Sequence, residues 1–277
     1  MRAPFGARLT TAVSLRGPLC VGVDPHPSLL DAWGLPATAA GLERFALTCV
    51  EALAGDVAVL KPQSAFFEAY GSAGVAVLER LIAEARAAGA LVLLDVKRGD
   101  IGSTMAAYAQ AYLAEGSPLA ADAVTLSPFL GFGALEPAID LAGSTGRGVF
   151  VLALTSNAEG ATVQRAEADG RSVAQAVVDE AAARNAGASP LGHVGLVVGA
   201  TVGSTDLDLS GLHGTILAPG FGAQGATVAD LSRVFGPSLR HVLPSSSREI
   251  LRHGPDVGAL RTAALRVRDS LAVAHLH

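Results

Sequence analysis

The chain has 277 residues, half of them apolar and 16% charged, which excludes a disordered chain and leaves ample length for a full core. A net charge of −5 argues against nucleic acid as a partner, so an anionic ligand would need a local basic site. No apolar run approaches the ~18 residues of a membrane span. The segment Leu9–Leu15, between Arg8 and Arg16, lacks both leucine density and a small-residue cleavage pattern, so it is not read as an export signal. Cys20 and Cys49 are too few for a disulfide framework and are expected as buried small hydrophobes in a reducing cytoplasm.

In chain order, eight β-rich runs alternate with helical patterns: Leu19–Asp24, Val57–Pro62, Leu91–Lys97, Ala123–Ser127, Val149–Leu154, His193–Gly199, Thr215–Pro219 and His241–Pro244. Several are continuously apolar, as strands buried on both faces must be. Between them, Leu42, Phe45, Cys49, Val50 and Leu53 make one helical stripe, Val75, Leu78, Leu81 and Ile82 a second, and Ile101, Met105, Tyr108 and Tyr112 a third. Gly89, Gly187 and Gly236 stand where helices end. The alternation predicts an α/β fold, a (β/α)8 TIM barrel forming a single domain over residues 1–277, with an open doubly wound sheet as the competing architecture. Two long segments, Pro25–Pro36 and Ser156–Gly170, follow the first and fifth strands, on the side where a barrel builds its site.

Of twenty basic residues only Lys61 and Lys97 are lysine. Lysine is a compact ammonium with a transferable proton, whereas arginine is effectively always protonated, so these two positions stand out. Lys97 lies in LLDVKRGDIGST, residues 93–104, on the third strand. Asp95 and Lys97 are two apart and share a face with Leu93, while Val92, Leu94 and Val96 point the other way. Asp100 follows in the turn, and a helix is expected to start near Gly102. A surface ion pair at a strand end and a catalytic array both fit these charges.

The segment PGFGAQGAT, residues 219–227, places Gly220-x-Gly222-x-x-Gly225 between a strand and a helix. It superficially fits a dinucleotide fingerprint, but it follows the seventh strand, and the eighth carries no acidic residue for a ribose. A phosphate cradle of backbone N–H groups, or a plain tight turn, fits as well. The histidines are scattered without metal-ligand spacing and read as surface or capping residues. Neither a Gly-x-Ser-x-Gly elbow nor a Walker loop is present. Trp33, Phe66 and Phe67 read as packing groups.

Asp95, Lys97, Asp100, Ile101 and Thr104 together match the Asp-x-Lys-x-x-Asp-Ile…Thr pattern, and on these residues the chain resembles the orotidine 5′-phosphate decarboxylases, most closely their longer bacterial subgroup. The resemblance implies conversion of orotidine 5′-monophosphate to uridine 5′-monophosphate without cofactor or metal. It implies catalytic roles for Lys61, Asp95, Lys97 and Asp100 as an alternating charge network, with Lys97 donating a proton to C6. It further implies that Asp24 holds the ribose and that Ile101 and Thr104 contribute to substrate binding. Arg248 would grip the phosphate, Gln224 would bridge phosphate and pyrimidine, and Gly222 and Gly225 would form the phosphate loop. Of Thr155, Ser156 and Asn157, the resemblance selects Ser156 for the pyrimidine amide. Ser247 departs from the Gly-Arg common in the family. A homodimer is implied, with Asp100 and Thr104 reaching the neighbouring subunit's site. The alternatives are a related sugar-phosphate decarboxylase whose carboxylates hold Mg2+, an aldolase-type synthase or epimerase, and a catalytically dead binding module.

Overall fold

The computed structural model describes residues 2–202, 205–222 and 225–275. All eight anticipated strands form, with bounds moved by one or two residues: β1 (Cys20–Val23), β2 (Val59–Pro62), β3 (Leu91–Arg98), β4 (Ala123–Leu126), β5 (Gly148–Leu154), β6 (Val194–Val198), β7 (Ile216–Pro219) and β8 (Val242–Ser246). Each pairs in parallel with its sequence neighbours. Cys20 and Val21 register with Ser245 and Ser246, closing the sheet into a barrel and excluding the open alternative.

The main helices are α1 (Phe5–Arg16), α2 (Ala39–Leu53), α3 (Gly71–Ala87), α4 (Gly102–Leu113), α5 (Glu136–Thr145), α6 (Val173–Arg184), α7 (Val228–Phe235) and α8 (Val257–His275). The stripe on α2 is buried as expected. On α3, Val77 is buried and Val75 only half-buried, because the helix turns its 77–78–81–82–85 face to the barrel. Ile101 precedes α4 and is 61% exposed, so it leaves the stripe that Met105 and Tyr112 continue. Trp33 packs on Phe45 and donates its indole N–H to the Leu251 carbonyl, and Phe67 is fully buried, as packing groups should be. Both cysteines are buried and free. The two long segments are partly ordered by short helices, Pro27–Ala32 and Ala161–Gln164, the second leading into a small antiparallel ribbon. Among the described residues, no helix is long and apolar enough to cross a membrane.

Alternation along the strands divides the core in two. Outward residues such as Val92, Leu94 and Val96 pack with the helices in one large cluster. Inward residues, among them Cys20, Val59, Leu93, Ala123, Phe150, Val197, Leu217 and Leu243, fill the barrel interior. Helix α1 is the part that strand counting leaves out. Its apolar residues Phe5, Leu9 and Ala12 join that inner cluster and plug the barrel where the strands begin. The Phe5 ring meets Phe150 edge-on at 6.0 Å and occupies the space that a Cβ on Gly148 would take. Arg8 ties the helix to Asp122, whose other oxygen accepts the Val92 N–H at 3.0 Å.

Because the plug lies at the strand starts, it should carry stability without carrying chemistry. Phe5→Ala is expected to destabilise the fold by about 3–5 kcal/mol, the usual range for emptying a buried aromatic site. Urea unfolding reads the loss, and steady-state kinetics at a temperature where the variant stays folded should show kcat unchanged.

Candidate active site

The C-terminal ends of the strands surround a cavity of about 520 Å3. Its base is built by inward parity: Lys61 from β2, Asp95 and Lys97 from β3, and Thr125 from β4. Lys61 Nζ donates to Asp95 Oδ2 at 2.8 Å, and Lys97 Nζ donates to Asp95 Oδ1 at 2.6 Å. Thr125 Oγ1 also donates to Asp95 Oδ1, at 2.8 Å. Asp95 and Lys61 are each only 6% exposed, whereas the Lys97 side chain is 45% exposed and faces the cavity.

Burial alone would push the Asp95 carboxyl up, but the ammonium groups of Lys61 and Lys97 outweigh it and hold the carboxyl well below the ordinary carboxylate range. Burial likewise works against the Lys61 ammonium, and Asp95 with Asp24 outweigh that and raise its pKa. Burial also pushes the Cys20 thiol up to about 12, so Cys20 stays a neutral packing group. The Lys97 backbone has φ 47°, a left-handed conformation that costs a non-glycine residue of order 1–3 kcal/mol and tends to mark functional sites.

Around the rim, Asp24, Ser156 and Arg248 line the cavity as the sequence led one to expect. One Asp24 oxygen is buried without a partner, as are the hydroxyls of Ser246 and Ser247. Gly22 makes this crowding possible, since a Cβ there would sit 2.8 Å from Asp24 Oδ2 and 2.9 Å from Ser247 Cβ. Thr155 and Asn157 are joined to each other at 2.6 Å and onward to Gln164 and Glu159, and Ser156 stands outside that network. Glu249 pairs with Arg252, which leaves the exposed Arg248 to face the cavity.

Other expected site residues are placed elsewhere. Asp100, Ile101 and Thr104 do not line the cavity of their own chain: Asp100 accepts the Ile101 N–H at 2.9 Å, and Ile101 and Thr104 are exposed. Gln224 lies outside the described residues. Of the expected cradle, the Gly222 and Gly225 N–H groups donate to the Ala226 and Gly222 carbonyls at 3.0 and 2.7 Å, and Gly220 and Phe221 line the cavity. His26 caps the short helix Pro27–Ala32, as a capping residue was expected to, and also lines the cavity with its ring edge-on against Phe66 at 4.3 Å. Gln63, Thr125, Leu152, Val197, Leu217, Ser245 and Ser247 are cavity residues that motif reading missed. For Thr125, Leu152 and Ser245 the signal was the alternation itself, one step above the inward residues Ala123, Phe150 and Leu243, while Val197 and Leu217 are inward core residues themselves.

Fold and site together define a barrel enzyme with a buried lysine–carboxylate array at the base of its cavity, beneath a rim suited to a polar, anionic ligand. The sequence profile of the "Orotidine 5'-phosphate decarboxylase / HUMPS family" matches residues 17–263, and the chain belongs to that family. It is 67% identical to the orotidine 5′-phosphate decarboxylase of Salinispora arenicola, over 95% of each chain. It is 64% identical to that of Streptomyces coelicolor, again over 95% of each. A crystal structure from Streptomyces avermitilis, 60% identical, superposes with a TM-score of 0.97 over all of this chain and 97% of the other.

Removing the shared carboxylate would strand two ammonium groups. In the wild type, the depressed Asp95 and raised Lys61 mean that their stabilisation is lost only as pH falls through the folded Asp95 pKa or rises through the folded Lys61 pKa. Asp95→Asn should cost about 3–5 kcal/mol near pH 7, because Lys61 then stays buried and unpaired. Burial would then act on the Lys61 ammonium with only Asp24 of its two carboxylates left to oppose it, so the variant should regain stability as pH rises above neutral, where the folded state sheds that proton before the unfolded one. Urea unfolding of both proteins across this range checks the sign: a deficit that does not shrink with pH would mean that Lys61 is not the group left unpaired.

Proposed function

We propose that this chain decarboxylates orotidine 5′-monophosphate to uridine 5′-monophosphate without metal or cofactor, as one catalytic domain spanning the barrel. The observation that carries the mechanism is the Lys61–Asp95–Lys97 array at the cavity base. Loss of CO2 leaves an electron pair at C6 that the ring cannot delocalise, so the charge must be met by a group already in place. Lys97, half-exposed and aimed at the cavity, meets that charge and then donates its proton to C6. Asp95 lies against Lys97 and so near the departing carboxylate. Leu152, Val197 and Leu217 give the same cavity apolar walls, which exclude water and strengthen the local field. Asp24 would receive the ribose hydroxyls, Ser156 the pyrimidine amide, and Arg248 with Gln224 the phosphate, whose remote binding energy supports the transition state. The family also takes in sugar-phosphate enzymes. The nucleotide is favoured here by the identity to named orotidine 5′-phosphate decarboxylases and by an Asp95 whose two oxygens already face ammonium groups.

The direct test follows loss of orotidylate absorbance with purified protein in excess chelator, where full activity is expected. Activity lost in chelator and restored by Mg2+ would transfer the chain to a metal-dependent chemistry. Lys97→Ala should abolish turnover while a nucleoside phosphate still binds. Lys97→Arg should fail too, since guanidinium is bulkier and a poor proton donor at neutral pH. Substantial activity in the arginine variant would remove Lys97 as donor.

The proposal extends to a cytoplasmic homodimer in which Asp100 and Thr104 serve the neighbouring site. Its support is the surface around them. Ile101, Phe129 and Leu130 are 61%, 76% and 52% exposed, and the loops that carry them are held together by the Ser127 N–H donating to the Arg98 carbonyl at 2.8 Å. A second copy would cover this apolar patch. Mixing inactive Lys97→Ala with inactive Asp100→Ala under subunit exchange should restore roughly a quarter of wild-type activity, because half the dimers then hold one intact site. Demonstrated exchange without recovery would show that both residues serve the same chain's site.

A further inference from the structure

The β3–β4 ladder breaks where the chemistry begins. Leu94 registers with Val124 and Arg98 with Leu126, so Asp95, Val96 and Lys97 all stand against the single residue Thr125. Such a bulge re-aims side chains and interrupts the backbone bonds of the ladder. The Lys97 N–H consequently has no carbonyl opposite it. It donates instead to the Thr125 hydroxyl at 2.9 Å, and that hydroxyl donates its own proton to Asp95 Oδ1 at 2.8 Å.

A hydroxyl has one proton to give, and an ionised carboxylate can only accept. With an N–H on one side and Asp95 on the other, the orientation of the Thr125 hydroxyl is therefore determined. Thr125 itself is 1% exposed on a central strand, so it cannot turn away to solvent. One side chain thus fastens the left-handed Lys97 backbone and the carboxylate that receives its ammonium.

We propose that Thr125 is a positioning residue for decarboxylation, acting through Lys97 and Asp95. The proposal rests on the reading that Lys97 and Asp95 run the reaction. Thr125 sets the distance between the Lys97 ammonium and the reacting carbon by holding the bulge closed, and it fixes the rotamer of Asp95 by occupying one lone pair of Oδ1. A valine at 125 keeps the volume and the β-branch but removes both hydrogen bonds, leaving the Lys97 N–H without an acceptor.

The test compares Thr125→Val, Thr125→Ser and Thr125→Cys with wild type, and with Lys97→Ala as the reference for lost chemistry. Thr125→Val should lower kcat by about 100-fold, the scale of a misplacement near an ångström. Its KM for orotidylate should stay within about threefold, since valine keeps the shape of the cavity base and the hydroxyl removed is committed to the Lys97 N–H and Asp95. Thr125→Ser, which keeps the hydroxyl and loses only a methyl, should restore kcat to within about threefold of wild type. A role in folding alone would instead follow the unfolding temperature, move little in kcat once the protein is folded, and would not discriminate a hydroxyl. Thr125→Val with kcat near wild type, or Thr125→Ser as slow as Thr125→Val, would overturn the proposal. Should the valine variant fail to fold, the cysteine variant decides: its thiol is a weak donor and acceptor, so kcat at least about tenfold below that of Thr125→Ser is expected, and equal rates would overturn the proposal. If Lys97→Ala itself turned over substrate, the mechanism beneath the proposal would fail instead.

Discussion

A carboxylate that is 6% exposed, held between two ammonium groups, is the constraint on which the rest of this molecule depends. Burying Asp95 is costly unless both of its oxygens are satisfied, and three strands are required to satisfy them. β2 brings Lys61, β3 brings Lys97 and β4 brings Thr125, so the barrel must be closed and in register before the charge can be buried. The bulge in β3 follows from the same requirement. Lys97 takes its left-handed φ of 47° within that bulge, and its ammonium is bonded to Asp95. The strain at Lys97 and the desolvation of Asp95 are therefore linked, and the ion pairs and the Thr125 hydroxyl offset both.

The opposite end of the barrel handles the complementary problem. Barrel strands begin at a rim of apolar side chains that would otherwise face water, and α1 covers it with Phe5, Leu9 and Ala12. Most charged groups at that end pair with one another, Arg8 with Asp122 and the fully buried Arg147 with Glu115 and the Ala121 carbonyl, while Arg147 Nε and Arg2 Nη1 are buried without a partner. At the catalytic end, Asp24, Ser246 and Ser247 keep buried oxygens without protein partners. What differs between the ends is the kind of group left open: oxygens of Asp24, Ser246 and Ser247 at the catalytic end, and guanidinium nitrogens of Arg2 and Arg147 at the other.

This division also explains what was legible in the sequence. Strands could be read because buried parallel strands are continuously apolar, and Asp95 and Lys97 could be placed inward because Leu93 lies on their face and joins the inner cluster. The same parity places Thr125 above Ala123 and Ser245 above Leu243, yet a threonine or a serine in a strand carries no motif, so neither stood out. Helix α1 was invisible to strand counting, since an amphipathic turn before the first strand has no partner in the repeating unit. The loops were least legible. The glycines of residues 220–225 announced a turn but not which N–H groups it would leave open, and Gly222 and Gly225 direct theirs inward. That depends on backbone geometry, which glycine permits in many forms.

The two lysines pair with the same carboxylate but are not equivalent. Lys61 is sealed beneath Asp95, and burial without that carboxylate would oppose its charge, so it acts as a fixed counter-charge. Lys97 has nearly half its side chain exposed to the cavity, and a ligand can reach it. Within one chain the array sums to a single positive charge, two ammonium groups against one carboxylate. In the proposed reaction, a substrate carboxylate entering there would neutralise it. On loss of CO2 the negative charge would remain and move to the ring carbon, so the site would have no new charge to accommodate, only a displaced one. In the proposed dimer, Asp100 from a neighbouring copy would make the array neutral before substrate binds. The substrate carboxylate would then enter against uncompensated negative charge, and breaking its bond to C6 would move that charge away from Asp95 and toward Lys97. The geometry assists in either case for the same reason. The proposed proton donor, Lys97, is already hydrogen-bonded to Asp95, its backbone N–H is held by Thr125, and little reorganisation would be left for the moment of reaction.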